Sequence, residues 1–424
     1  MSEAIDVQRQ HIGMGPMGTA VFYAAHNLGA EVFDGVCAGG VAVINPRLES
    51  VGSGGLENLA IATNSDPADA IRYVPATPPF GLTAASRAAR EVLEGMDGYD
   101  YCGFPELTRY YRAVGRELLD YIMKRDDGSC AVEASVARIV CDERHGTFTS
   151  FDTHGVPIIR SHELVLATGA VERQHAALLP YAGKTVMSRS VLAHDPEVAE
   201  KLAVADAAGK RSVVILGSGN SAISALGELT KLPEAQNFTF VVAHRSKFYL
   251  HYATQAAAER DGYALSHDEL SAGAPCPVNR VRGLRAVARE TLERAQRGEL
   301  GDVLFIRFDG DLRHFEALNK AGIIVQALGY EGSMPQMVDA RQRAISLMTD
   351  AGNQVVDADD QLVTASGSPV ERAYRVGFGV SKAVGWEVAG FAAEGALRKG
   401  PVNSFKAFQG PGGSGEQLVK RLLS

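Results

Sequence analysis

Two glycine-rich segments, each followed by helix-like and then strand-like pattern, constrain this chain more than anything else in it. The first is His11-Ile12-Gly13-Met14-Gly15-Pro16-Met17-Gly18, which leads into Thr19-Ala20-Val21-Phe22-Tyr23-Ala24-Ala25, apolar at helical spacing. Gly29 then ends the helix, and Ala30-Glu31-Val32-Phe33-Asp34 reads as a short strand that finishes in a carboxylate. In the second, the β-branched stretch Ser212-Val213-Val214-Ile215-Leu216 runs straight into Gly217-Ser218-Gly219-Asn220-Ser221-Ala222, a helix through Leu229 and a further strand at 238–242. Each segment has the strand, turn, helix, strand order of a βαβ unit. A chain of 424 residues exceeds what one core holds, because single cores stop growing at roughly 250 to 300 residues. The segments therefore predict two α/β domains.

Glycine turns of this kind suit a pyrophosphate, since backbone N–H donors approach closely and the helix N-terminus adds a favourable dipole. Gly13, Gly15 and Gly18 stand at the G-x-G-x-x-G intervals, and Asp34 follows the turn by about 20 residues, where a carboxylate accepts the ribose hydroxyls of an adenosine half. The strand feeding this turn, Val7-Gln8-Arg9-Gln10-His11, is unusually polar. In the second turn, Gly217, Ser218, Gly219, Asn220 and Ser221 form the cradle, and Ala222 permits close contact between helix and strand. The strand after it ends in Ala243-His244-Arg245-Ser246-Lys247 rather than in an acid. Arg245, with Ser246 and Lys247, suits the 2′-phosphate of NADPH better than the free ribose of NADH. The alternative is a solvated basic turn.

Between the turns, residues 82–94 and 105–124 carry helical periodicity with many aromatics, and after Gly128 the period becomes two, as in an antiparallel meander returning at Glu163-Leu164-Val165-Leu166-Ala167-Thr168-Gly169. Residues 280–297 read as a charged amphipathic helix, and 321–330 as an apolar strand ending in a glycine turn. Hydrophobic residues at 46% and charged residues at 22% are globular composition. A net charge of -8 gives no footprint for nucleic acid. No apolar stretch approaches the ~18 residues of a membrane span, and the acidic start Met1-Ser2-Glu3-Ala4-Ile5-Asp6 is no leader; the expectation is a cytoplasmic protein with a small-molecule partner. The five cysteines, Cys37, Cys102, Cys130, Cys141 and Cys276, are widely spaced without C-x-x-C, which argues against a disulfide scaffold, a zinc site and an adjacent redox dithiol.

Together these residues resemble the two-dinucleotide-domain flavoproteins, which include thioredoxin reductase-like enzymes, flavin-containing monooxygenases and N-hydroxylating monooxygenases. The first fingerprint in that group is often G-x-G-P-x-G, matched by Gly13, Gly15, Pro16 and Gly18 with Met17 between, and an A-T-G turn, here Ala167-Thr168-Gly169, lies near the flavin. The resemblance implies FAD on the first turn and NADPH on the second. It implies two Rossmann-like three-layer domains, the FAD domain discontinuous with an antiparallel β-meander: residues 1–195 and 326–424 around an NADPH domain at 196–325. It also implies a segment close to the flavin after the chain resumes, for which Val376-Gly377-Phe378-Gly379 is the candidate. Gly39 and Gly40 either let the backbone approach the flavin or form a plain loop. Tyr181-Ala182-Gly183-Lys184-Thr185-Val186-Met187-Ser188 has the layout of the flavin-containing monooxygenase motif F-x-G-x-x-x-H-S, with Met187 in place of the histidine. Ala327-Leu328-Gly329-Tyr330 has the layout of the N-hydroxylating A-T-G-Y turn, with Leu328 in place of the threonine and Gly322 in place of the aspartate that precedes it.

The activity so implied is that of an FAD-dependent, NADPH-consuming oxidoreductase. In its monooxygenase form it uses molecular oxygen to hydroxylate a small amine-like nucleophile through a flavin C4a-hydroperoxide. Such chemistry resides in the cofactor, which agrees with the lack of any acid/base or nucleophile constellation. No catalytic side chain is singled out; His175, His194 and His251 stand as isolated candidates for proton donation. The alternatives are an NADPH-dependent flavin reductase or dehydrogenase without oxygen insertion, and a flavoprotein fold kept as a non-catalytic binding module. A homodimer is compatible with such folds, although no residue pattern asks for one.

Overall fold

A computed structural model of the chain describes residues 4–61, 67–96, 102–266, 269–270, 278–279, 283–350, 353–377, 380–382 and 414–423. The first part contributes strands β1 (Ile5–Ile12), β2 (Val41–Asn45), β3 (Cys130–Glu133), β4 (Val136–Asp142), β5 (Thr147–Asp152) and β6 (Pro157–Leu166). Its helices are α1 (Pro16–Leu28), α2 (Ala30–Cys37), α3 (Pro67–Ile71), α4 (Ala84–Glu94) and α5 (Phe104–Met123). Strands β3, β2, β1 and β6 lie side by side and parallel, and the long β6 also closes the antiparallel meander with β5 and β4. The period-two stretch 131–140 is thus divided: β3 extends the parallel layer, while β4 turns into the meander.

The polar first strand sits in the middle of this sheet, which explains its composition. Arg9, Gln10 and His11 are all buried; Arg9 and Gln10 have the partners that burial of polar groups requires, whereas the His11 ring nitrogens have none among the described residues. Arg9 faces Glu163 on β6, donating Nε to its carboxylate at 2.5 Å, and gives its remaining donors to the carbonyls of Val36 and Leu422. Gln10 donates to the Phe148 carbonyl at 3.2 Å and accepts from Ser150 Oγ at 2.6 Å, tying β1 to the meander. His11 lies 4.6 Å from the Phe22 ring, and burial, followed by the nearby Arg9 cation, pushes its imidazole well below its ordinary pKa.

Gly29 does end α1, at φ 132, but the stretch after it is helix α2 and not the expected strand. Phe33, Val36 and Cys37 are its buried positions, an i, i+3, i+4 face that the short window Ala30–Asp34 does not display. The second strand of this unit is β2, buried at every position.

The chain then passes through β7 (Ala170–Val171), β8 (Thr185–Met187), α6 (Ser188–Leu192), α7 (Pro196–Ala207), β9 (Ser212–Leu216), α8 (Asn220–Leu229), β10 (Thr239–His244), α9 (Gln255–Arg260), α10 (Ala286–Gln296), β11 (Val303–Arg307) and β12 (Ile323–Gln326). Five of these strands make a second, wholly parallel sheet in the order β11-β10-β9-β12-β8. Strand β13 (Glu331–Gly332) pairs antiparallel with β7, so the outgoing and returning crossings form one narrow ribbon. The return supplies β14 (Gln336–Asp339), β15 (Thr349–Asp350), β16 (Asn353–Val356), β17 (Gln361–Val363) and β18 (Pro369–Arg375), and β18 adds parallel to β6. The first sheet is therefore discontinuous in sequence. The helix Ser414–Leu422 packs Leu418, Val419 and Leu422 into the core that α1 and α2 share. Among the described residues no helix is long and apolar enough to cross a membrane.

Candidate functional site

The two glycine turns are built alike. Gly13 donates its N–H to Ile44 at 2.9 Å, and Ala167 donates to Ile12 at 2.8 Å; Gly217 donates to Ala243 at 2.9 Å, and Ala327 donates to Leu216 at 3.0 Å. In each case the strand carrying the turn is clasped between the next strand of its unit and a later A-x-G turn. Gly13 (φ 85) and Gly217 (φ 135) are in the left-handed region, and a Cβ on either would stand 2.5 Å from the carbonyl oxygen of Ala167 or Ala327 respectively. Only glycine fits there. Gly18 is demanded by the Gly13 carbonyl, 2.2 Å from where its Cβ would be.

Beyond the turns, α1 starts at Gly15 with Pro16 in its first turn, and α8 starts at Gly219; neither N-terminus is capped by a side chain. Helix starts leave N–H donors without intrahelical partners. A Cβ on Gly219 would meet nothing within 4 Å, so that glycine answers no packing need and leaves space in front of the donors. The end at Gly219 therefore has room for a pyrophosphate, whereas the end at Gly15 offers the same kind of donors beside the Gly54 loop, whose Cα would stand 3.4 Å from a Cβ on Gly15.

Around the first turn, Met14 N–H donates to Asn45 Oδ1 at 2.9 Å, and Asn45 Nδ2 donates to the Arg47 carbonyl at 2.6 Å and to Ser50 Oγ at 3.1 Å. Gly52 donates to the Met14 carbonyl at 2.7 Å. Asn45, at the end of β2, thus holds the position where an acid was expected. Asp34 is not there. It lies on α2, with its side chain 62% exposed, accepting from Tyr121 Oη at 2.7 Å and 3.8 Å from Arg125. Gly39 and Gly40 are likewise at the wrong end for a flavin: their carbonyls accept from Gln8 N–H near the start of β1, and a Cβ on Gly40 would meet the Asp127 carbonyl. Strand polarity decides this, because the loop before β2 lies opposite the turn that follows β1.

Ala167 and Thr168 do meet the first turn, Thr168 Cα standing 3.0 Å from a Cβ on Gly13, and Gly169 follows them at φ 70. Thr168 Oγ1 donates to the Ser333 carbonyl and accepts from buried Arg375, which also donates to the Gly169 carbonyl at 3.0 Å. Arg375 had no signal in the sequence beyond one more charge in the mixed stretch Pro369–Arg375. Gly377 comes next to Met17 at the start of α1, with 2.9 Å between a Cβ there and Met17 Cβ. Phe378 lies outside the described residues.

At the second turn, Ser218 Oγ is 3.3 Å from Ser246 Oγ, so the loop after β10 faces the cradle. Arg245 is exposed, and no ion pair involving it occurs among the described residues. Lys247 is committed elsewhere: it donates to the Ala264 carbonyl at 3.0 Å and to Glu269, whose side chain is fully buried. Asn220 Nδ2 donates to the Gly283 carbonyl at 3.3 Å, leaving its buried Oδ1 without a partner among the described residues. Gly329 is exposed at φ 105 in the turn after β12.

A junction joins the cradles. The loop 48–61 runs from Gly54, packed on Gly15, to Gly55, whose carbonyl accepts from Arg189 at 2.7 Å, and to Ala60, whose N–H donates to Leu192. Glu172, just past β7, accepts from Ser188 Oγ at 2.6 Å and Arg189 N–H at 2.9 Å. Burial pushes the Tyr330 phenol above its ordinary pKa.

The three candidate histidines are structural in their contacts. His175 Nδ1 accepts from Ala177 N–H, His194 pairs with Glu228 at 2.9 Å, and His251 Nδ1 lies 3.0 Å from the Val278 carbonyl. Burial pushes the Cys37 and Cys141 thiols up to about 12 and Cys102 to about 11. Cys276 lies outside the described residues. No group of three metal-ligating side chains occurs among the described residues.

No family model matches the chain. It is 24% identical over 365 residues to a CMP-5'-(3-aminopropyl)phosphonate hydroxylase of Streptomyces rubellomurinus, covering 80% of this chain and 82% of that protein. Among solved structures, the ornithine N-hydroxylase of Kutzneria sp. 744, with reduced FAD, NADP+ and L-ornithine, superposes with a TM-score of 0.57 at 14% identity, over 98% of this chain and 99% of that one. The bacillithiol disulfide reductase of Staphylococcus aureus gives 0.51 at 13% identity, over 99% and 98%. The fold is that of the two-dinucleotide-domain flavoproteins.

Proposed function

We propose that this flavoprotein-fold chain is an FAD-dependent, NADPH-consuming monooxygenase that hydroxylates a small molecule at a nucleophilic amine. The observation that carries the reading is the pair of uncapped helix starts behind like-built glycine turns, joined through one junction. The first turn, with Gly13, Gly15, Pro16, Met17, Gly18, Ala167, Thr168, Gly169 and Gly377, would hold FAD. The second, with Gly217, Ser218, Gly219, Asn220 and Ser221, would hold NADPH, Arg245 and Ser246 meeting its 2′-phosphate.

The bound pair supplies hydride acceptance and oxygen activation. The protein supplies donors and shape. Backbone N–H groups of Gly15, Met17 and Gly18 and of residues 219–221 would neutralise pyrophosphate charge, and the Gly54–Gly55 loop lies against the first turn. The names of the hydroxylase and N-hydroxylase relatives both carry an amine, aminopropyl in one and ornithine in the other, which supports an amine as substrate class. Against a disulfide-reductase role stands burial of Cys37, Cys102 and Cys141, which holds these thiols in the protonated, unreactive form.

The test is a stopped-flow trace. Protein loaded with FAD is bleached anaerobically by NADPH and then mixed with oxygenated buffer. A monooxygenase shows a transient near-ultraviolet absorbance before the yellow colour returns, and consumes NADPH in step with hydroxylated amine. Immediate reoxidation to yellow with peroxide release means a reductase without oxygen insertion. A colourless protein, or one that stays yellow with NADPH, means a binding module.

A further inference from the structure

Strand β12 is apolar for three residues, Ile323, Ile324 and Val325, and then buries an amide: Gln326 is 1% exposed. A buried amide costs stability unless its polar atoms are bonded. Both are bonded to main chain outside the second sheet. Gln326 Oε1 accepts from His175 N–H at 2.8 Å, and Nε2 donates to the Arg173 carbonyl at 2.7 Å, with Met187 Sδ on β8 at 3.5 Å. A main-chain carbonyl only accepts and a main-chain N–H only donates, so these partners fix which way the amide points. The side chain thus stands in for a β-ladder partner along residues 173–175.

Those residues belong to the outgoing crossing, which leaves the first turn at Ala167-Thr168-Gly169. The Gly169 carbonyl is still held to the first sheet, by Arg375 at 3.0 Å. Glu172 is already held to α6, accepting from Ser188 Oγ and Arg189 N–H. Between them lie Ala170 and Val171, paired with Gly332 and Glu331 in the narrow ribbon. A pairing that short is marginal on its own. On its other side Gln326 is in register with Leu216 and directly precedes Ala327, whose carbonyl packs over Gly217. One side chain therefore ties the segment leaving the first cradle to the strand that shapes the second.

Resting on the NADPH reading above, we propose that Gln326 is a positioning residue whose amide sets the second cradle against the first for hydride transfer. Its donor and acceptor are spent on the crossing, so it gives neither cradle a contact to nucleotide. Its loss should leave nucleotide binding in place and spoil the distance and angle of transfer, to which such reactions are steeply sensitive.

Two variants test this in the FAD-loaded full-length protein. Gln326→Leu removes both bonds at similar volume, whereas Gln326→Glu keeps the acceptor for His175 and removes the donor to Arg173. At saturating NADPH the anaerobic flavin-reduction rate should fall about tenfold to a hundredfold in both. FAD content and the Kd for NADP+ should stay within about twofold of the parent, because the amide positions and does not bind. Hydrogen exchange at the His175 amide should quicken about tenfold or more in Gln326→Leu and less in Gln326→Glu, a readout that needs no turnover. Parent-like reduction rates, a loss confined to Kd, or parent-like His175 exchange in Gln326→Leu would each overturn the proposal. If Gln326→Leu does not fold, Gln326→Glu decides by the same split between rate and Kd. A parent that NADPH does not reduce overturns the NADPH reading; His175 exchange then decides separately whether the amide holds the crossing.

Discussion

Gly217 lies so close beneath Ala327 that a Cβ on the glycine would stand 2.5 Å from the alanine's carbonyl oxygen, at a φ of 135. Two costs act at once, steric and conformational, so Gly217→Ala must move the turn that forms the second cradle. Strain of this kind is of order 1–3 kcal/mol, which is about tenfold to a hundredfold in an equilibrium. The expected outcome is a Kd for NADP+ raised by at least about tenfold, measured by titration. FAD content should be retained, because the first turn belongs to the other sheet. Loss of FAD with NADP+ affinity intact would reverse the assignment of the cradles.

Arg245 and Lys247 sit two residues apart but should behave differently. Arg245 is exposed beside Ser246 and uncommitted among the described residues, whereas Lys247 is bound to buried Glu269. A hydrogen bond to a charged group is worth about 1.5–3 kcal/mol. Arg245→Ala is therefore expected to lower kcat/KM for NADPH by roughly tenfold to a hundredfold with little change for NADH. Lys247→Ala should lower the melting temperature while leaving the preference between the two nucleotides in place. Equal losses for NADPH and NADH in Arg245→Ala would remove its role in choosing the phosphate.

Glu269 makes stability depend on acid. Burial alone would raise its carboxyl pKa, but hydrogen bonds from Lys247, Ser266, Tyr263 and Asn279 outweigh it and hold the group well below the usual carboxylate range. A depressed folded-state pKa gives stability that is present above the unfolded value, near 4.3 for glutamate, and is lost as pH falls below it. Melting temperatures recorded from pH 7 to pH 3 should fall more steeply in the parent than in Glu269→Gln. Parallel curves would show that the group does not drive the acid response.

Asp34 and the glycines before β2 should be silent toward cofactor. Asp34→Asn leaves the sheet and the first turn untouched, since the carboxylate meets Tyr121 and Arg125 at the other end of the strands. FAD per protein, read from the absorbance ratio after purification, should match the parent. Asn45→Ala, by contrast, removes the acceptor of the Met14 N–H and both Asn45 donors, and should reduce FAD content. A parent-like FAD content in Asn45→Ala with loss in Asp34→Asn would restore the ribose role to Asp34.

The thiols give a further check. With Cys37 and Cys141 pushed up to about 12 and Cys102 to about 11 by burial, thiolate is scarce near neutrality. In a Cys130→Ser/Cys276→Ser background, a chromogenic thiol reagent at pH 8 should react at these positions only after unfolding. Fast labelling of native protein would reopen thiol chemistry.

The turns were legible in the sequence because glycine spacing states a backbone requirement directly, and Gly13, Gly18 and Gly217 each meet a specific backbone atom in the fold. The clean strand Ser212–Leu216 was equally plain, being buried at four of its five positions. Asp34 misled because five residues fit either period; the helical face of α2 only emerges once Cys37 is included. The polar β1 looked like a poor core strand because its partners are distant in sequence: Glu163 is 154 residues away and Leu422 is 413. Asn45, Arg375 and Glu172 went unseen for the same reason. Each acts through a backbone group or a neighbour that only the sheet topology brings near.

The Arg9 contact with Leu422 carries a consequence for the order of assembly. A guanidinium buried in β1 takes one of its acceptors from the helix Ser414–Leu422, 413 residues further along the chain. The innermost layer of the larger unit is therefore completed only once that helix is in place, and removing it should leave Arg9 paired with Glu163 but with one buried donor lacking its acceptor.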